Sequence, residues 1–135
     1  MIVVNASAVL ELLLGTTAAY DIQRRLFESG ESLHAPHLID LEIAQVLRRY
    51  VLIGELTRQR GQQALTDLAD LPIFRYPHDL FLSRIWALRH NVTAYDAAYL
   101  ALAESLPASL ITCDARLAAT LGHRATVELV RTGRA

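Results

Sequence analysis

The chain has 135 residues, one domain's worth, and a core of that size needs no disulfide or structural metal to hold it. All 13 basic residues are arginine, which excludes a Gly-Lys phosphate loop, a Schiff-base lysine and the lysine of a phosphoacceptor receiver. The net charge of −1 gives no global field for a polyanion, so bound cations or local arginines must hold any nucleic acid.

The run from Met1 to Leu14 is apolar but lacks a basic leader, is interrupted by Glu11 and stops at Gly15. It is therefore read as neither a signal peptide nor a membrane span. Within it, residues 2–4 (Ile-Val-Val) form a buried strand and Asn5-Ala6-Ser7 opens a helix over 6–14. A second helix covers 17–29 and closes at Gly30. Residues 33–35 are a short strand ending at Pro36, and a helix over 37–53 runs to Gly54. Thr57 caps a helix reaching residue 70, and residues 73–75 form a weak edge strand. Helices over 78–89 and 93–105 follow, then strand 110–112, a short helix over 114–121 and a weak strand over 126–128. The domain spans 1–130, and the tail 131–135 is expected to be disordered.

Strands alternating with helices predict an α/β fold with a parallel sheet covered on both faces. In such sheets ligands bind at the carboxyl ends of the strands, where the strand order reverses. Asn5 and Asp114 each stand just past a predicted strand.

Three acids and two hydroxyls are candidates for chemistry. In helix 37–53 the apolar stripe is Ile39, Ile43, Val46, Leu47 and Tyr50. At about 100° per residue, Glu42 lies about 80° from its centre, bordering the buried face. From spacing alone it reads first as a solvated helix charge. Asp96 is the only charge in Thr93–Ala103, a segment apolar nearly all round. It stands at the third helical position after the capping Thr93, where an acid also meets the helix dipole. Asp114 reads as an N-cap as well as a site acid. Ser7 and Thr112 are either ordinary hydroxyls or groups that orient neighbouring carboxylates. The five histidines make no metal-binding pattern, and Cys113, the only thiol, reads as a small core residue; one thiol also excludes an internal disulfide and fits a cytoplasmic setting.

In order along the chain stand Ile2-Val-Val-Asn5-Ala-Ser, Asp40-Leu-Glu42-Ile-Ala, Thr93-Ala-Tyr-Asp96-Ala-Ala-Tyr-Leu-Ala-Leu-Ala-Glu104 and Ile111-Thr112-Cys113-Asp114. This series closely resembles the PIN-domain ribonucleases, in particular the VapC-type toxins of toxin–antitoxin pairs. The resemblance implies a three-layer α/β/α sandwich with a parallel sheet of four to five strands. It implies a site at position 5, Glu42, Asp96 and Asp114, supported by Ser7 and Thr112, holding Mg²⁺ or Mn²⁺ and hydrolysing RNA. Hard divalent cations suit such a cluster because they relieve carboxylate repulsion and prefer oxygen ligands.

The sequence departs from the family at one place: the first acid is normally Asp, and here it is Asn5. Either the lineage is degenerate or the residue was changed to disarm a toxic nuclease, and the intact surroundings favour the change. Cleavage by this chain is accordingly expected to be weak or absent. The competing reading is a catalytically dead PIN module that binds RNA or a protein. A flap-type DNA nuclease fits less well, because such enzymes are longer and more basic. The N-terminal helices carry much apolar surface: Val9, Leu10, Leu12, Leu13, Leu14, Ile22, Leu26, Phe27, Leu52, Ile53 and Leu56. Large apolar surfaces mark interfaces. A homodimer and a groove for a helical antitoxin peptide are expected, as in the family.

Overall fold

A computed structural model describes residues 1–131. Five parallel strands form one sheet: β1 (Ile2–Val4), β2 (Leu33–Pro36), β3 (Ile73–Tyr76), β4 (Ser109–Thr112) and β5 (Val127–Leu129), in the order β3-β2-β1-β4-β5. The chain enters at the centre, builds outward through β2 and β3, then returns to the other side of β1 for β4 and β5. The strand order therefore reverses at β1. There Val4 is in register with Ile111, and the Asn5 amide donates to the Ile111 carbonyl at 2.9 Å. As expected from the sequence, β1 is central with β4 beside it.

The helices are α1 (Ala6–Leu14), α2 (Ala19–Phe27), α3 (Leu38–Leu52), α4 (Arg58–Asp70), α5 (Leu82–Ala87), α6 (Ala94–Ser105) and α7 (Ala115–Ala118). Helix α1 ends at Gly15, whose φ of 64° is the left-handed conformation that glycine adopts without strain. Thr57 caps α4 through the Arg60 amide, as its sequence position predicts. Helices α3 and α4 pack closely where Gly61 faces Val51, because a β-carbon at Gly61 would lie 3.1 Å from the Val51 side chain. Residues Ala97 through Ala103 of α6 are all buried, which accounts for a helix apolar on every side.

Most boundaries fall within a few residues of the sequence expectation, with α2 and α7 shorter than expected and β3 and β4 one residue longer. The predicted helix 78–89 is a 3₁₀ turn at His78–Phe81 followed by α5, so the segment is broken and not continuous. Strand β2 includes Pro36, which pairs with Tyr76 of β3. The β1 pairing stops at His34, so the missing Pro36 N–H removes no bond on that side. Strand β5 starts one residue later than expected, at Val127. Of the tail 131–135, residues 132–135 lie outside the described residues.

His34 is a buried core histidine on β2. Its Nε2 lies 2.7 Å from Ser32 Oγ and its Nδ1 2.7 Å from Tyr76 Oη, and its ring stacks on Phe74 at 5.3 Å. Burial, and secondarily the N-terminal ammonium, push its pKa below the ordinary 6.5. The fold therefore favours the neutral ring. The resulting stability is complete above the unfolded value and is lost as pH falls through the folded one. Thermal unfolding followed on both sides of pH 6.5 is expected to show the melting temperature falling on the acid side. His34→Gln should flatten that fall, and an unchanged slope in the variant would remove His34 as its source.

Candidate active site

Asn5 is the N-cap of α1, at the carboxyl end of the central strand, and is buried. Its Oδ1 accepts from the Ser7 amide at 3.2 Å, from Ser7 Oγ at 2.6 Å and from Thr112 Oγ1 at 3.1 Å. A backbone N–H can only donate, so the Ser7 amide fixes the Asn5 oxygen on that side. The amide NH₂ is left on the opposite edge. Ser7 Oγ also accepts from the Cys113 amide at 2.9 Å, and Thr112 Oγ1 from the Asp114 amide at 3.0 Å. Ser7 and Thr112 thus clamp the ends of β1 and β4 together while orienting position 5. Both hydroxyls hold the Asn5 side-chain oxygen.

Asp114 follows β4 and caps α7, its Oδ1 accepting from the Arg116 amide at 2.9 Å and the Leu117 amide at 3.4 Å. Asp96 lies in the first turn of α6, where its amide donates to the capping Thr93 hydroxyl at 3.2 Å. The capping alternative is therefore real at Asp114, whose carboxylate is itself the cap, whereas at α6 the cap is the Thr93 hydroxyl and it is the Asp96 amide that is held.

Glu42, on α3, is partly buried, and Tyr99 of α6 donates to its Oε1 at 2.7 Å. Tyr99 is fully buried, and burial together with the Glu42 charge pushes its pKa well above the ordinary value. It is a permanent donor at neutral pH. Nothing in the sequence signals this role, because Tyr99 sits in a nearly all-apolar stretch of helix 57 residues from Glu42.

The acids act on one another in a chain. Burial raises the Glu42 pKa, and the Asp96 charge raises it further against the Tyr99 hydrogen bond. Burial raises the Asp96 pKa, the Asp114 charge adds to it, and Arg116 opposes it. Arg116 is 93% exposed, with its Nε 4.0 Å from Asp114 Oδ1, so its cation is open to solvent beside two acids. Among the described residues, no group of three His, Cys, Asp or Glu is placed to hold a metal ion by itself. The acids act on one another electrostatically in pairs, Glu42 with Asp96 and Asp96 with Asp114. Cys113 has its pKa pushed up to about 11 by burial, so the thiol is protonated at neutral pH and is no nucleophile.

Residues 2–121 match the PIN domain family. Ribonuclease VapC12 of Mycobacterium tuberculosis (strain H37Rv) is 42% identical over 130 residues, which are 96% of this chain and 99% of that protein. Ribonuclease VapC9 of the same strain is 46% identical over 120 residues, 89% of this chain and 91% of that protein. The chain belongs to the PIN-domain family, among its VapC-type members. The PIN fold is also that of a Pyrobaculum aerophilum protein, PAE2754, with a TM-score of 0.68 and 26% identity over 93% of this chain and 81% of that one. It recurs in a toxin–antitoxin complex from Klebsiella pneumoniae, with a TM-score of 0.61 and 19% identity over 88% of this chain and 91% of that one. The last likeness shows the fold alone. In this PIN domain the switch point between β1 and β4 brings Asn5 and Asp114 together from opposite ends of the sequence.

The apolar surface expected on the N-terminal helices is mostly consumed by the core. Val9, Leu13, Ile22 and Leu26 are buried, and Leu10, Leu12, Leu14 and Leu56 are partly buried against them. Phe27, Leu52 and Ile53 remain exposed. A groove between α3 and α4 has a floor of Ala44, Leu47, Val51, Gly61 and Leu65, and its charged edges are Arg48 and Arg58. Among the described residues, no helix is long and apolar enough to cross a membrane.

Proposed function

We propose that this PIN domain is the endoribonuclease toxin of a toxin–antitoxin pair, with cleavage held down by Asn5. The observation that carries the reading is the electrostatic chain Glu42–Asp96–Asp114, beside Asn5 at the topological switch point. Half-buried acids whose charges disfavour one another, as with Glu42 and Asp96, suit a divalent cation, which relieves both burial and repulsion. Mg²⁺ keeps several waters and is commonly bound through one or two carboxylates, so paired acids suffice. Asp96 and Asp114 would hold it, with Glu42 and position 5 completing the site. The ion, Mg²⁺ or Mn²⁺, would supply Lewis-acid polarisation of the phosphate and an acidified water.

The chain's own residues do the rest. Tyr99 orients Glu42 toward the other acids, and Ser7 and Thr112 hold position 5 in one orientation. Arg116 stands in solvent beside the acids as a phosphate contact, in a chain whose net charge repels RNA slightly. Asn5 is the defect. With its oxygen fixed by Ser7 and Thr112, it offers the cluster an NH₂, which repels a cation. The test is single-turnover cleavage of RNA by the chain as written and by Asn5→Asp. A gain supports the toxin reading. No gain in any divalent cation favours the dead RNA- or protein-binding module, which the Asn5 NH₂ also suits.

The partners follow from the surface. Its two arginine edges over an apolar floor fit the groove between α3 and α4 to an amphipathic antitoxin helix carrying acids. Exposed Leu80, Leu82 and Trp86 suit a homodimer, and a cytoplasmic setting fits the lone reduced thiol. Leu65→Glu is expected to weaken binding of the product of the adjacent antitoxin reading frame by at least tenfold, because it places a charge on the apolar floor. Calorimetric titration checks this, and unchanged affinity would remove the groove as the docking site. Light scattering that shows a monomer at tens of micromolar would count against the dimer.

A further inference from the structure

We propose that a pocket between α3 and the start of α6 takes an unpaired base of the substrate RNA, stacked on Tyr95 beside the cleaved phosphodiester. The pocket is lined by Leu41, Glu42, Gln45, Val46 and Tyr95. Glu42 belongs both to it and to the acidic cluster, and Asp96 directly follows Tyr95. A strand whose phosphate lies at the acids therefore has its neighbouring base within reach of the pocket. The inference deepens the nuclease reading, on which it rests for the choice of RNA.

Three observations favour a base. Tyr95 is 66% exposed on a helix that buries every residue from Ala97 to Ala103. An aromatic ring there contributes nothing to the core. Tyr20, Tyr50 and Trp86 each carry an arginine guanidinium over the ring, whereas Tyr95 has no ring, cation or hydrogen-bond partner among the described residues. Its π face is open for stacking, the main device by which proteins hold single-stranded RNA. Gln45, on the same side of α3 as Glu42 and likewise without a partner among the described residues, offers a paired donor and acceptor to a base edge. Leu41, 75% exposed, completes an apolar wall opposite. A second copy of the chain on this face would bring two acidic clusters together, which like-charge repulsion opposes. A base brings no charge.

The test uses the chain as written, so that binding is read without cleavage. Short single-stranded RNAs carrying 2-aminopurine at successive positions are titrated in Mg²⁺, and both fluorescence quenching and affinity are recorded. One position is expected to be strongly quenched. Tyr95→Ala should abolish that quenching and weaken binding by about 5–150-fold, the range for loss of one stacked base. Tyr95→Phe should keep both, and Tyr20→Ala should change neither. No quenching at any position, or equal binding by Tyr95→Ala, would overturn the proposal. So would light scattering that shows Tyr95→Ala splitting a dimer, which would give the face to a second copy. If Asn5→Asp fails to cut RNA while the Tyr95 effects hold, the nuclease reading falls and the base pocket stands.

Discussion

Asn5→Asp is expected to raise RNA cleavage about 10²–10³-fold, equivalent to about 2.7–4 kcal/mol of transition-state stabilisation. The two side chains have nearly the same shape. The oxygen held by Ser7 and Thr112 keeps its three donors, and those donors favour a carboxylate more than an amide. What changes is the other edge, where an NH₂ that repels a cation becomes an oxygen that attracts one. The cluster gains a fourth negative charge, so its affinity for Mg²⁺ or Mn²⁺ rises. Ligand that binds only the folded state raises its stability, so the metal-induced rise in melting temperature should be larger in Asn5→Asp than in the chain as written. Calorimetric Mn²⁺ titration and thermal unfolding check this without reference to activity. Equal metal affinity in the two proteins would show that position 5 takes no part in metal binding.

The second large effect is at Thr112. Its hydroxyl is completely buried, donates to Asn5 Oδ1 and accepts from the Asp114 amide. Thr112→Val keeps the β-branched shape that the strand requires and removes only the hydroxyl. The Asp114 amide then has no acceptor there, and position 5 loses one of the groups that orient it. An unsatisfied buried group costs about 1–3 kcal/mol of stability. Loss of an orienting partner costs about 10–100-fold in metal affinity or activity. In the Asn5→Asp background, Thr112→Val is therefore expected to lose 10–100-fold in cleavage, with a modest fall in melting temperature. Thr112→Ser should restore most of the activity. A full-rate Thr112→Val would reduce this threonine to an ordinary strand residue.

Much of this site was legible in the sequence, and the reason is topological. Asn5 and Asp114 each follow a short apolar strand, and in a parallel sheet the carboxyl ends of adjacent strands must meet. Glu42 could be placed at the border of a helix face by counting residues. Asp96 stood out as the only charge in an apolar helix. The capping roles of Thr57, Thr93 and Asp114 are local and therefore legible. Contacts made by ordinary residues across long separations were not legible. Tyr99 looks like any core aromatic until α6 is laid against α3. Arg116 looks like any surface arginine until Asp114 and Asp96 are beside it. The apolar N-terminal helices looked like a partner surface because composition cannot show how much of α1 and α2 one small core will bury. The break between the 3₁₀ turn and α5 was hidden because Leu80-Phe81-Leu82 is apolar on both sides of it.

The role of position 5 is tested most directly by a single-turnover cleavage assay on structured RNA with a Mn²⁺ titration. It is run on the chain as written, on Asn5→Asp, and on Asn5→Asp combined with Asp96→Asn. Little or no cleavage is expected from the first, metal-dependent cleavage from the second and its loss in the third. Equal cleavage by the chain as written and by Asn5→Asp would contradict this, because position 5 would then be no part of the site.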